Sequence, residues 1–281
     1  MAAAEENGAS GAGGPQAPEN PRPKKKSVYL LPNLLTTGTI FFGFYSVAAG
    51  LNGQFTHAAL SILVAGIFDL LDGRVARALG AVSAFGKEYD SLADFLAFGM
   101  SPAIMVYQWA LVPFGRVGWA AAFLFTVCGA LRLARFNVAH YQQDSRVSKR
   151  YFQGLPIPAA AGSVALTVLF YSDVQIAFAS ESPADAWRWF PLMLVYVLAV
   201  LMVSSIRFRS FKDFSWHEQR PFMFMVAVVI MLTVLASNLE ITLFLVAMAY
   251  LFSPLHSHPE YRKLLAEGEE IEEDEVEDLG V

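Results

Sequence analysis

Residues Phe68 to Gly99 read FDLLDGRVARALGAVSAFGKEYDSLADFLAFG. Four carboxylates, Asp69, Asp72, Asp90 and Asp94, stand there at the ends of two long apolar runs, where a chain embedded in a bilayer tolerates charge least. If the stretch is helical, Asp69, Asp72, Gly73, Ala76 and Arg77 share one face, within about 140° of arc at roughly 100° per residue. Asp90 and Asp94 form a second pair, one turn apart on the following helix. The link between the helices, Leu79 to Phe85, is short, with Gly80 for the turn and Gly86 at the re-entry. The two helices are therefore expected to run as antiparallel neighbours and to bring the pairs together.

Carboxylates that converge in this way repel. At about 4 Å and an effective dielectric near 20, each like-charged pair costs roughly 4 kcal/mol, so the cluster must take up protons or hold cations. An oxygen-only ligand set, with no Cys or His in it, favours Mg2+ or Mn2+ over Zn2+. A paired-metal site of this type suits phosphoryl transfer, because cations clamp phosphate oxygens as charge moves. Gly73 has no side chain to obstruct a ligand at the helix surface, and Arg77 supplies a fixed cation for phosphate.

The order Asp-Gly, two residues, Ala-Arg, eight residues, Gly, three residues, Asp, three residues, Asp is met by Asp72, Gly73, Ala76, Arg77, Gly86, Asp90 and Asp94, with Asp69 just upstream. This pattern resembles the signature of the CDP-alcohol phosphatidyltransferases. Other stretches are similar to the membrane-embedded phosphatidylserine synthases of that family: LPNLLT (Leu31 to Thr36), DSLAD followed by AFG (Asp90 to Asp94, Ala97 to Gly99), LRLARFN (Leu131 to Asn137), FQGLPIPAA (Phe152 to Ala160) and RSFKDF (Arg209 to Phe214). The resemblance covers about residues 28 to 215. Tyr89 departs from it, since Leu is usual there, and the change is expected to affect packing more than chemistry.

The resemblance implies that CDP-diacylglycerol and L-serine give phosphatidylserine and CMP. It implies a two-metal site, with one divalent ion held by Asp69, Asp72 and Asp90 and a second by Asp69, Asp90 and Asp94. Asp94 would also take the proton of the serine hydroxyl, and Gly73, Ala76, Arg77 and Gly86 would border the cytidine and phosphates. Within the same chemistry the acceptor could instead be glycerol phosphate, inositol, inositol phosphate or choline. A cation transporter is a more distant reading; it expects acids spread through the membrane depth, whereas all four here lie toward one end of their runs.

Working outward, 55% of the 281 residues are hydrophobic, 16% are charged and the mean hydropathy is +0.43. Soluble domains carry roughly 25% charged residues, so the composition is that of an integral membrane protein. The formal charge of -5 is uneven: Glu267 to Val281 holds nine acids and no base, which leaves +4 for the rest. Residues 1–27 read as a disordered arm, 28–255 as the transmembrane domain and 256–281 as a solvated acidic tail. The single Cys128 excludes an internal disulfide and reads as core filler. His57, His140, His217, His256 and His258 lack ligand spacing to the acids. No nucleic-acid-binding basic patch, Ser/His/Asp arrangement or phosphate-binding Gly loop appears in the sequence.

Runs of roughly 20 apolar residues span a bilayer. Eight candidates lie near 33–51, 57–79, 87–110, 118–138, 156–178, 187–206, 220–237 and 239–254. Eighteen of the 20 Lys and Arg residues fall on one side of that arrangement, only Arg116 and Arg188 on the other. The expected fold is thus all-α, a polytopic bundle of about eight helices in the cytoplasmic membrane of the cell, with both termini and the acids on the cytoplasmic side. Lys24 to Lys26 would lie against anionic lipid.

Arg132 and Arg135 fall inside a membrane-length run and are three apart, so they are expected on one face, pointing toward a polar cavity or the acids. They are the candidates for the serine carboxylate. Gly154 and Pro156 should bend the chain before a helix that carries Pro158 in its first turn. Gly38, Gly43 and Ala48 offer either a homodimer face or close packing within one chain.

Overall fold

A computed structural model describes residues 26–139, 151–178, 185–204, 206–209, 225 and 239–252. The arm before residue 26, the seventh candidate span apart from Met225, and the acidic tail lie outside the described residues. So do Arg146, Lys149, Arg150, Lys212 and Arg220, and every histidine except His57.

The helices are α1 (Leu30–Leu51), α2 (Phe55–Ala78), α3 (Ala84–Asp94), α4 (Ser101–Val106), α5 (Gly115–Ala139), α6 (Ile157–Phe178), α7 (Asp185–Val203) and α8 (Leu239–Phe252). Among the described residues, Leu30–Leu51 and the 55-residue stretch Ala84–Val138 contain windows long and apolar enough to cross a membrane. The longer one far exceeds the roughly 20 residues of a single crossing. It folds back at Gly115, whose φ of 56° is a left-handed conformation, and α5 returns along α4.

Small residues set the packing of α1. Pro32, Thr36, Thr39, Gly43, Ser46 and Gly50 line its buried face, which lets α2 lie close along it. A Cβ at Gly38 would meet the Phe68 ring, and one at Gly43 would come within 2.8 Å of Ala97 Cα. Both glycines thus serve packing inside the chain. The opposite face of α1 exposes Leu34, Phe41 and Phe44, as a lipid-facing helix does.

Two π-helical segments interrupt the expected third span, at Phe95–Met100 and Tyr107–Leu111. Each precedes a proline, Pro102 and Pro113, that lacks the N–H a regular helix would donate and whose ring crowds the preceding turn. Ser101 reinforces the first, its Oγ lying 2.7 Å from Leu96 O and 2.8 Å from Gly43 O on α1.

The core sits around α6, where Ser163 to Leu169 are all buried. Helices enclosed on every side need no polar face. The described chain is not purely helical: Tyr151–Gln153 pairs antiparallel with Arg207–Arg209. This ribbon is a small addition to a fold that is otherwise helical, as expected. Its cause is the bend at Gly154, φ 76°, which turns the chain so that Gly154 N donates to Ile206 O at 2.8 Å and Leu155 N to Leu201 O at 3.0 Å.

Candidate active site

The acidic cluster forms at the end of the bundle where α2 stops and α3 starts. The link is as short as the sequence indicates. Gly80 takes φ 56°, and Ser83 caps α3, its Oγ accepting from Gly86 N at 3.0 Å. The expected antiparallel pairing of α2 with α3 is not how the helices meet. α3 packs chiefly on α1, which also carries α2, so the two acid-bearing helices are held by a shared third helix and face each other through their carboxylates.

One carboxylate oxygen from each of Asp69, Asp72 and Asp90 lies within 4.8 Å of the other two. Asp94 joins them, its carboxyl within hydrogen-bonding reach of Asp69. Asp72 is buried at 4% exposure, and Thr36 Oγ1 on α1 donates to its Oδ2 at 2.8 Å. Asp94 Oδ1 is buried with no hydrogen-bond partner. An orphaned carboxyl oxygen beside three further acidic side chains is a costly arrangement in a protein interior. It fits a divalent cation: the donors are all oxygen, several are within shared reach, and one lacks any other partner.

Around the acids, Gly73 is half-buried, and Arg77 one turn on is exposed, its guanidinium folded back toward Gly73. Ala76 is half-buried between them in sequence. Gly86 sits in the first turn of α3, where a Cβ would lie 3.6 Å from Asn33 Oδ1 of α1. These positions leave the surface beside the acids low and partly cationic.

The two arginines expected on one face separate. Arg132 is buried at 9% exposure, with Nε lacking a hydrogen-bond partner; Asp94 and Tyr250 of α8 lie within electrostatic range of its guanidinium. Arg135 is exposed, and its Nη1 lies 3.5 Å from Val203 O at the end of α7. Three residues advance a helix by about 300°, not a full turn. That offset is enough to put one side chain inside and the other at the rim.

Sequence reasoning assigned no role to Thr36, Ser91, Asn137 or Tyr250. Asn137 Nδ2 donates to Ser91 Oγ at 3.0 Å, tying the end of α5 to the middle of α3 beside Asp90. The quoted LPNLLT and LRLARFN stretches contain Thr36 and Asn137, so the signal was present as a resemblance without a partner to explain it.

The CDP-alcohol phosphatidyltransferase family model matches residues 29–201. Among curated proteins the chain is similar to the CDP-diacylglycerol--serine O-phosphatidyltransferase of Helicobacter pylori, 41% identical over 190 residues that cover 68% of this chain and 76% of the relative. The protein of that name from Mycobacterium leprae is 35% identical over 228 residues, 78% of this chain and 73% of the relative. The archaetidylserine synthase of Methanothermobacter thermautotrophicus is 35% identical over 189 residues, 66% of this chain and 72% of the relative.

Proposed function

The chain belongs to the CDP-alcohol phosphatidyltransferase family, and from that premise we propose that it transfers the phosphatidyl group of CDP-diacylglycerol to the hydroxyl of L-serine, releasing CMP. The observation that carries the chemistry is the meeting of Asp69, Asp72 and Asp90 within 4.8 Å. The choice of serine is supported by relatives whose names share that acceptor across bacterial and archaeal lipids.

In the reaction, the serine hydroxyl oxygen forms a bond to the phosphorus that bears diacylglycerol. The bond from that phosphorus to the CMP oxygen breaks, and its electron pair leaves with CMP. Asp94 would take the hydroxyl proton, since an unassisted alcohol is a weak nucleophile. Asp69, Asp72 and Asp90 would hold one divalent cation, Mg2+ or Mn2+, and Asp69, Asp90 and Asp94 a second. When bound, such ions neutralise the pyrophosphate and the charge that develops on CMP. Gly73, Ala76 and Gly86 leave room for the nucleotide, and Arg77 offers its guanidinium to phosphate. Arg132 is the better candidate for the serine carboxylate: it is buried within electrostatic range of Asp94, whereas Arg135 is exposed and reaches α7.

The membrane arrangement belongs to the same reading. The bundle crosses the cytoplasmic membrane several times, eight on the count of apolar runs, with the acids on the cytoplasmic side where basic residues collect. CDP-diacylglycerol keeps its chains in the leaflet and its pyrophosphate at the interface, the depth of the acids, while serine enters from water.

The test is to give the purified protein CDP-diacylglycerol with serine, glycerol phosphate, inositol, inositol phosphate or choline separately, and to measure CMP. Release with serine alone is expected, lost on chelation and restored by Mg2+ or Mn2+. Release with glycerol phosphate but not serine overturns the acceptor. Asp94→Asn should lower turnover by about 100-fold or more; intact CMP release with loss of an ion flux would instead favour a transporter.

A further inference from the structure

Two neighbouring threonines on α1 touch both acid-bearing helices. Thr36, buried at 4% exposure, donates from Oγ1 to Asp72 Oδ2 of α2 at 2.8 Å. Its hydroxyl has a single proton, and although Pro32 O lies 3.1 Å away, the carboxylate is the closer and stronger acceptor. Thr37 Oγ1 donates to Asn33 O at 2.8 Å and lies 3.0 Å from the Tyr89 hydroxyl of α3. Because the Thr37 proton is engaged by Asn33, the Tyr89 hydroxyl is the donor in that second bond. Tyr89 is the residue before Asp90, and its ring stacks on Phe85 one turn earlier, centroids 5.8 Å apart at 14°.

These bonds matter because α2 and α3 pack on α1 more than on each other. The distance between Asp72 and Asp90 is then set through α1. An error of about an ångström in the spacing of metal ligands is costly, because hard cations hold their oxygens within a few tenths of an ångström. We propose that Thr36 and Thr37 are positioning residues that gauge the separation of the two acid-bearing helices, Thr36 by holding the Asp72 carboxylate and Thr37 by receiving the Tyr89 hydroxyl. The inference rests on the acids being a divalent-cation site. It gives Tyr89, the position that departs from the usual Leu, a role in the site's geometry rather than in packing alone.

The experiment uses the full chain purified in detergent, without substrate, and reads free aquated Mn2+ by electron paramagnetic resonance during titration. Thr36→Val keeps the branched shape and removes the hydroxyl; it should weaken Mn2+ binding by about tenfold or more, while Thr36→Ser, which restores the donor, should bind close to the parent. Tyr89→Phe should weaken binding in the same direction by less, because that bond is more exposed. Should Thr36→Val fail to fold, Tyr89→Phe carries the test, and parent-like binding by it sinks the idea. Loss in Thr36→Val that Thr36→Ser does not restore also overturns it, since the cause is then packing. Asp72→Asn separates the two levels. If it loses Mn2+ binding while Thr36→Val does not, the positioning role fails and the cation site stands; if Asp72→Asn binds like the parent, both fall.

Discussion

At the scale of single residues, burial separates two arginines that the sequence presents as equals. Arg132 and Arg135 share the LRLARFN stretch, but only Arg132 is enclosed, with its Nε unpartnered and Asp94 nearby. A buried guanidinium without a full set of acceptors is costly unless a ligand supplies them. Arg132→Gln is therefore expected to raise the KM for serine by about tenfold or more, the loss of a hydrogen bond between charged groups, with a much smaller change in the KM for CDP-diacylglycerol. Arg135→Gln should leave both nearly unchanged, because Arg135 reaches the Val203 carbonyl at the rim. Steady-state kinetics with each substrate varied in turn checks the pair. Equal effects of the two substitutions on serine would remove Arg132 from the acceptor site. The meeting of Asp69, Asp72 and Asp90 was expected from the sequence, because helical periodicity puts Asp69 and Asp72 near one face and a short link brings Asp90 back toward them. The Thr36 bond to Asp72 was not, because it joins residues 36 positions apart.

At the scale of elements, the turns that aim the site depend on backbone conformations few residues adopt. Gly154 has φ 76°, and a Cβ there would lie 3.2 Å from Ser204 O and closer still to Met202 O. Those are backbone atoms at the end of α7, which cannot swing aside as a side-chain tip does. Gly53 has a similar φ of 74° but open space around it. Gly154→Ala should therefore cost more than Gly53→Ala, which carries only the left-handed penalty of about 1–2 kcal/mol. Thermal unfolding in detergent would show it as a clearly lower midpoint for Gly154→Ala, and an equal drop for both would mean the α7 contact contributes nothing. The bend at Gly154 and Pro156 was readable from residue type. The ribbon it produces, Tyr151–Gln153 on Arg207–Arg209, was not, because short strands carry too few residues to show a period and their partners are distant. The π segments fall between: Pro102 and Pro113 mark where a regular helix fails, but the choice between a kink and a π turn depends on what packs beside it.

At the scale of the whole molecule, the proposed orientation makes a labelling prediction that the native chain is suited to test. Its only cysteine, Cys128, is buried at 7% exposure, so it contributes little background to a membrane-impermeant maleimide. Asn52→Cys, in the exposed link between α1 and α2, should react in intact cells. Val82→Cys, exposed in the link before α3, should react only after the membrane is opened. The reverse pattern would place the acids outside and overturn the cytoplasmic reading. The sequence by itself indicated the chemical class of this protein through the resemblance of its spaced acids, with Gly73, Ala76, Arg77 and Gly86, to a family signature, and it indicated protons or cations at the acids because clustered carboxylates repel. It also determined the approximate extent of the described helices, because apolar run length in a bilayer is set by thickness. Only the tertiary structure decided that α2 and α3 meet through α1, that Arg132 turns inward while Arg135 does not, and that Asp94 keeps an orphaned oxygen. Those outcomes depend on which helix faces lie against one another, and helices solvated by lipid expose apolar side chains outward as readily as inward. The hydrophobic pattern therefore carries little information about facing, and packing of small residues and hydrogen bonds between distant positions selects it instead.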